Sequence, residues 1–176
     1  MNEVLKAIEQ RRSIRKYKSD PVPREIIDQI IHAGIYAPSG MGKQSAIIVA
    51  VTNRELRDKL ARMNAVYGGW QPDFDPFYGA PAVLIVLANK ACGTYLYDGS
   101  LVMENLMLAA HSLGIGSCWI HRAKEEFDSS EGKEILKALG IKGEYEGIGH
   151  CILGYPADST LPKAAPRNGN RVFYAE

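Results

Sequence analysis

The sequence predicts a single-domain α+β protein of three layers, α/β/α, in which a mixed central sheet is flanked by helices on both faces. Three observations predict this class. Helical stripes alternate with short runs that are apolar at every position, as strands covered on both sides require. No repeat, low-complexity tract or long linker divides the chain. Its 176 residues also suffice to bury a sizeable core without disulfides or metals. The expected organisation is one domain over residues 1–176, with residues 156–176 forming a tail.

Val4, Leu5 and Ile8 mark the apolar face of a first helix, with Asn2 as its N-cap. A second helix opens at Pro23, a residue favoured in the first turn. Its stripe is Ile26, Ile27, Ile30 and Ile31, and it ends near Gly34. The run Ala46-Ile47-Ile48-Val49-Ala50-Val51 is apolar on both parities and reads as a central strand. Thr52 or Asn53 caps a third helix that reaches about Met63. Residues 64–80 hold Tyr67, Trp70, Phe74, Phe77 and Tyr78 among glycines, prolines and aspartates, and read as an ordered surface loop or lid. These aromatics either pack as a local cluster or wall a pocket.

Residues 82–87 form a second buried strand. A long helix follows with Leu101, Val102, Leu106, Leu108, Ala109 and Leu113, apolar nearly all round, and Gly114 stops it. A third strand covers residues 117–121, a helix capped near Ser129 or Ser130 runs to Gly140, and a fourth strand covers residues 147–153. The remainder is rich in proline, glycine and basic residues.

Composition removes several classes of function. With 21 basic and 20 acidic residues the formal charge is +1, so no broad basic face serves nucleic acid or anionic membrane. The longest apolar runs fall far short of the roughly 20 residues that span a bilayer. The amino terminus carries no apolar signal region, so the protein is expected in the cytoplasm. Cys92, Cys118 and Cys151 are odd in number and widely spaced, as reduced thiols rather than a disulfide framework.

Two nucleotide signatures fail. Gly114-Ile115-Gly116 meets Trp119 where a dinucleotide fingerprint needs glycine, and Gly147-Ile148-Gly149 meets Ile152, so both read as turn and strand glycines. Gly42-Lys43 lacks the upstream glycine of a P-loop, since Ala37 stands there, and Gln44 replaces the magnesium-binding Ser or Thr. No metal is expected: His150 and Cys151 point to opposite faces of a strand, and Cys118 and His121 have no partner at zinc spacing. A lone cysteine in an apolar strand is a core residue before it is a nucleophile, and Cys118 is read so.

Arg11-Arg12-Ser13-Ile14-Arg15 is different in kind. Three guanidinium groups around a hydroxyl offer forked donors that suit a phosphate, although a solvated charged turn has the same composition. In Ala37-Pro38-Ser39-Gly40-Met41-Gly42-Lys43-Gln44, two glycines allow close approach of backbone N–H groups to a flat ligand. Ser39 and Gln44 add donors and acceptors suited to a pyrimidine edge or a ribityl chain. The alternative is an ordinary helix-to-strand loop.

Five segments in register resemble the nitroreductase family of flavoproteins. They are Arg11-Arg12-Ser13-Ile14-Arg15-Lys16-Tyr17, Ala37-Pro38-Ser39-Gly40, Tyr78-Gly79-Ala80-Pro81, Gly114-Ile115-Gly116-Ser117-Cys118-Trp119-Ile120, and Leu153-Gly154-Tyr155-Pro156 before Pro162-Lys163. The resemblance implies FMN held at a homodimer interface. By position, Arg11, Arg12, Ser13 and Arg15 match ligands of the phosphate and ribityl chain, joined by Lys163 and Arg167 from a tail that embraces the partner. Pro38, Ser39 and Gly40 match the segment the partner lays against the flavin ring, Gln44 a contact to ring or ribityl group, and Cys118, Trp119 and Ile120 the strand beside the ring. No side chain is then needed as acid, base or nucleophile. NADH or NADPH delivers hydride to flavin N5, leaves, and a small electron-poor acceptor such as a nitroaromatic or quinone takes its place. Gly42 stands where many members have Asn, and Gln44-Ser45-Ala46 where many have Gln-Pro-Trp, so no particular substrate is carried over. Two alternatives keep the fold: a flavoenzyme of other chemistry, dehalogenating or flavin-destroying, and a flavin-binding protein without turnover.

Overall fold

Asn2, Asn53 and Ser129 each turn a side-chain oxygen onto a backbone N–H two or three residues ahead, at 2.8 to 3.0 Å. Helices begin at those points because these bonds satisfy donors the first turn leaves free. In the computed structural model, which describes residues 2–176, α1 spans Glu3–Gln10, α2 Arg24–Ile35, α3 Arg54–Gly68, α4 Tyr95–Ser112, α5 Ala123–Asp128 and α6 Ser130–Ala138. The strands are β1 Ala46–Val51, β2 Ala82–Asn89, β3 Gly116–Ile120 and β4 Tyr145–Gly154. Among the described residues no helix is long and apolar enough to cross a membrane.

The sheet order is β1-β2-β4-β3 and every ladder is antiparallel. The parallel component of the expected mixed sheet shrinks to one bridge, Ser13 to Ser117, beside β3. Along β2 the register Val83↔Ile152 and Leu84↔Cys151 alternates side chains between two cores. Val83, Ile85 and Leu87 join Phe77, Phe127 and Leu60 on the α3/α5/α6 side, whereas Leu84 and Val86 join Ile27, Ile30, Met103 and Leu106 under α2 and α4. All of β2 from Ala82 to Ala88 is buried, as its unbroken apolar run requires.

The structure moves several expected features. β1 is covered on both faces, by Ile47 and Val49 toward one core and Ala46 and Ile48 toward the other, but it lies at an edge of the sheet. Apolar parity reports covered faces and is blind to a free edge. Residues 64–68 complete α3, which Gly69 closes at φ 69°. The loop is therefore shorter than expected, and Asp75 ties it down: its carboxylate accepts from the N–H of Phe77 and Gly79 and pairs with Arg57 at 2.6 Å. Helix α5 was not expected, since its six residues carry only Ala123 and Phe127 as buried apolar groups, too short a stripe to show a period. Residues 157–176 are exposed and hold no helix or strand.

Candidate active site

Where α1 ends, the Arg11 N–H caps the Ala7 carbonyl at 2.9 Å and the chain runs out along the edge of β3. The Ile14 N–H donates to the Ser117 carbonyl at 2.9 Å, and the Ile14 side chain is buried against Gly116. Extended backbone alternates side chains, so Ile14 anchors the segment while Ser13 and Arg15 stay accessible.

The guanidinium groups here are under-committed. Arg11 has one distant carboxylate, Glu104 at 3.9 Å, and its Nη1 is buried without a partner. Arg12 donates from Nη1 to the carbonyls of Glu9 and Arg11, both at 2.7 Å, and its Nε is buried without a partner. Arg15 forms no ion pair or hydrogen bond among the described residues. His111, on the last turn of α4, has a pKa held below the usual histidine value, first by burial and then by Arg11 and Arg12. Donors of this kind can take an anion, because a buried unpaired charged donor is costly until an acceptor arrives.

Three cavities follow one another along this segment. The first, about 160 Å³, is lined by Arg12, His111 and residues 114–117. The second, about 230 Å³, shares Ile14 and Pro156 with it and adds Ser13 and Arg15. The third, about 260 Å³, shares Arg15 and opens beside Trp119 and Ile120. Together they form a trough with Arg12 and His111 at one end and aromatic walls at the other.

The expected strand residues divide. Trp119 and Ile120 line the third cavity, whereas Cys118 is 1% exposed and packs into the core on the α3 side. Gly149 makes room for the indole, since a Cβ there would collide with the Trp119 ring nitrogen, itself buried without a partner. Lys163 and Arg167 lie exposed on the tail and line none of these cavities, although Leu161 and Pro162 just before them do.

The loop with Pro38, Ser39, Gly40 and Gln44 sits elsewhere. Asp98, in the first turn of α4, accepts hydrogen bonds from the Gly40 N–H at 3.0 Å, Ser45 Oγ at 2.6 Å and Thr94 Oγ1 at 3.1 Å. The Ser39 hydroxyl accepts from the Gln44 N–H at 2.9 Å. Met41 and Gln44 hold left-handed φ values of 54° and 48°, and Met41 is 85% exposed. Asp98 and His111 are thirteen positions apart on one helix, so the loop and the arginine cluster are separated by about 20 Å along α4 at 1.5 Å per residue. One chain does not bring them together.

Five residues that the motifs did not single out as site residues complete the third cavity: Asn64, Gly68, Pro76, His121 and Arg122. Asn64 Nδ2 donates to the His121 carbonyl at 2.7 Å and to Glu126 Oε1 at 2.6 Å. The other oxygen of Glu126 lies 3.2 Å from His150 Nε2, and neither of those two side chains has any exposure. Each of these contacts joins residues on different elements, so no spacing in the sequence announces them.

The chain was compared with known proteins. The nitroreductase family model matches residues 8–155. A protein of Methanothermobacter thermautotrophicus named as a candidate NADH dehydrogenase/NAD(P)H nitroreductase is 35% identical over 161 residues, covering 89% of this chain and 79% of its own. A crystal structure of a nitroreductase with bound FMN from Bacteroides fragilis superposes with a TM-score of 0.88 at 32% identity over 100% of both chains. A second FMN-bound nitroreductase, from Desulfitobacterium hafniense, gives a TM-score of 0.86 at 30% identity, again over 100% of both chains.

Proposed function

The chain belongs to the nitroreductase family, and on that premise we propose that it is an FMN-dependent NAD(P)H oxidoreductase that reduces a small electron-poor acceptor, a nitroaromatic, a quinone or a similar molecule. The observation that carries this reading is the trough: Arg12 and His111 at one end, with Arg11 next to Arg12 in sequence, Trp119 and Ile120 at the other, and Ser13 and Arg15 between. Its order of charge and aromatic surface matches a molecule with a phosphate tail and a flat ring. FMN, when bound, supplies the two-electron transfer between nicotinamide and acceptor.

In this reading Arg11, Arg12 and Arg15 neutralise the phosphate, Ser13 contacts the ribityl chain, and Trp119 and Ile120 flank the ring. The working unit is a homodimer, in which Pro38, Ser39, Gly40 and Gln44, about 20 Å from the arginine end of the trough of their own chain, meet the partner's flavin across a two-fold interface. The tail brings Lys163 and Arg167 to the site only on dimer formation. The free thiols of Cys92, Cys118 and Cys151 accord with work in the reducing cytoplasm.

The test is the visible spectrum of the purified protein under anaerobic NADH or NADPH. A yellow protein that bleaches, then recovers on adding a nitroaromatic or quinone, supports the reading. A bound flavin that resists reduction identifies a binder without turnover, and a colourless protein that takes up no FMN overturns the proposal.

A further inference from the structure

The third cavity has a composition that restricts what it can accept. One wall is a run of aromatic rings in edge and tilted contact: Trp70 to Phe74 at 5.4 Å between centroids and Phe74 to Tyr78 at 5.7 Å. Trp119 lies on β3 across from the turn that carries them. The charged lining residues are Arg15 and Arg122, and no carboxylate lines the cavity. Arg122 is held at φ 75°, a left-handed conformation that favours glycine, with its N–H bonded to His121 Nδ1 at 2.8 Å. Its Nη1 meets Glu125 at 2.9 Å in a solvent-exposed pair, and the rest of its fork is uncommitted.

Resting on the reading above, we propose that this cavity is the acceptor site and selects flat aromatic anions, with Arg122 as the specificity-determining residue. Rings of the guest stack against the aromatic wall, and its carboxylate or phenolate meets the Arg122 fork. Arg15, shared with the flavin, adds to the same positive potential. Of this lining the reading above gives Arg15, Trp119 and Ile120 to the flavin, and leaves Trp70, Phe74, Tyr78 and Arg122 to the acceptor.

The chain supplies its own reporter, because both of its tryptophans line this cavity. Saturable quenching of their fluorescence is measured with 4-nitrobenzoate, nitrobenzene and (4-nitrobenzyl)trimethylammonium, on the protein with and without FMN, beside kcat/KM for the same three probes. We expect half-saturation by the anion at a concentration at least about ten-fold below that of nitrobenzene, the cation weakest, and the same order in kcat/KM. Arg122→Gln reduces the anion preference to less than about three-fold and Arg122→Lys retains part of it. Arg62→Gln, which removes the same charge from an exposed position outside the cavity, leaves the preference intact. Equal affinity for anion and neutral probe overturns the proposal, as does an Arg122→Gln protein that loses FMN while keeping its anion preference. Should the protein prove unable to hold FMN, the function proposed above falls, and the quenching order without FMN still decides whether the cavity selects anions.

Discussion

Arg11 and Arg12, adjacent in sequence, each bury a guanidinium nitrogen that no protein group satisfies. A buried donor left unpaired costs about 1–3 kcal/mol, so the arrangement is a liability unless a ligand completes it. Replacing Arg11 or Arg15 by Ala is expected to weaken FMN binding about ten- to a hundred-fold while leaving riboflavin binding nearly unchanged, because only FMN carries the phosphate. Fluorescence titration with both flavins measures this, and equal losses would place the arginines elsewhere than at the phosphate. His111 gives an independent reading of the same charges. An anion beside Arg11 and Arg12 favours protonated imidazole, so its depressed pKa rises toward or past the ordinary 6.5 when FMN or phosphate binds. An NMR titration of the His111 ring that shows no rise would place the anion elsewhere. The arginines themselves were legible in the sequence as a cluster. Their unpaired state was not, because Glu104, the carboxylate nearest to Arg11, lies on α4.

At the scale of elements, the start of α4 organises the loop at residues 39–45 through one carboxylate. Burial of Asp98 by itself raises its pKa, but the hydrogen bonds from Ser45, Gly40 and Thr94 outweigh it and hold the group below the usual 3.8. A depressed carboxylate contributes stability that is present above its unfolded value and lost as pH falls through the folded one. Asp98→Asn is therefore expected to cost about 1.5–3 kcal/mol at pH 7, with the gap from the parent protein closing as pH drops from about 5 toward 3. Denaturant unfolding across that range measures it, and a gap independent of pH would mean that Asp98 acts by shape alone. The helices and strands that were legible carry their signals within a few residues: Asn2, Asn53 and Ser129 as caps, Gly114 as a left-handed stop, and the continuous apolar runs of β1 and β2. Helix α5 escaped because its six residues exist by docking on β4, where Ala123 and Phe127 find cover.

For the molecule as a whole, large apolar groups remain outside the two cores. Helix α1 buries none of its residues and exposes Val4, Leu5 and Ile8 at 64%, 54% and 50%. On the tail, Phe173 and Tyr174 are each 85% exposed. Surfaces of this kind call for a partner. Deleting residues 168–176 is expected to weaken both dimer and FMN binding, since partner and flavin stabilise one another by mass action. Sedimentation velocity with a parallel FMN titration measures the two together. A truncated protein that stays dimeric and holds FMN as tightly would show that the tail is dispensable and that the interface lies with α1 and α4.

By itself the sequence determined the order of the elements other than α5, the helix caps, the two-faced burial of β2, the arginine cluster and the family, because each is written in spacings of a few residues or in motifs that keep their order along the chain. The tertiary structure decided what those spacings cannot hold. It set β1 at an edge and made every ladder antiparallel, turned Cys118 into the core while Trp119 and Ile120 face a cavity, and gathered Arg15, Trp70 and Arg122 around that cavity from three parts of the chain. It also placed α4 between the arginine cluster and the loop with Ser39, a separation of about 20 Å set by helix rise. The physical reason is the range of the forces: caps and periodicity act between neighbours in sequence, whereas packing, edge position and cavity lining arise between residues far apart in sequence that only the closed fold brings within contact.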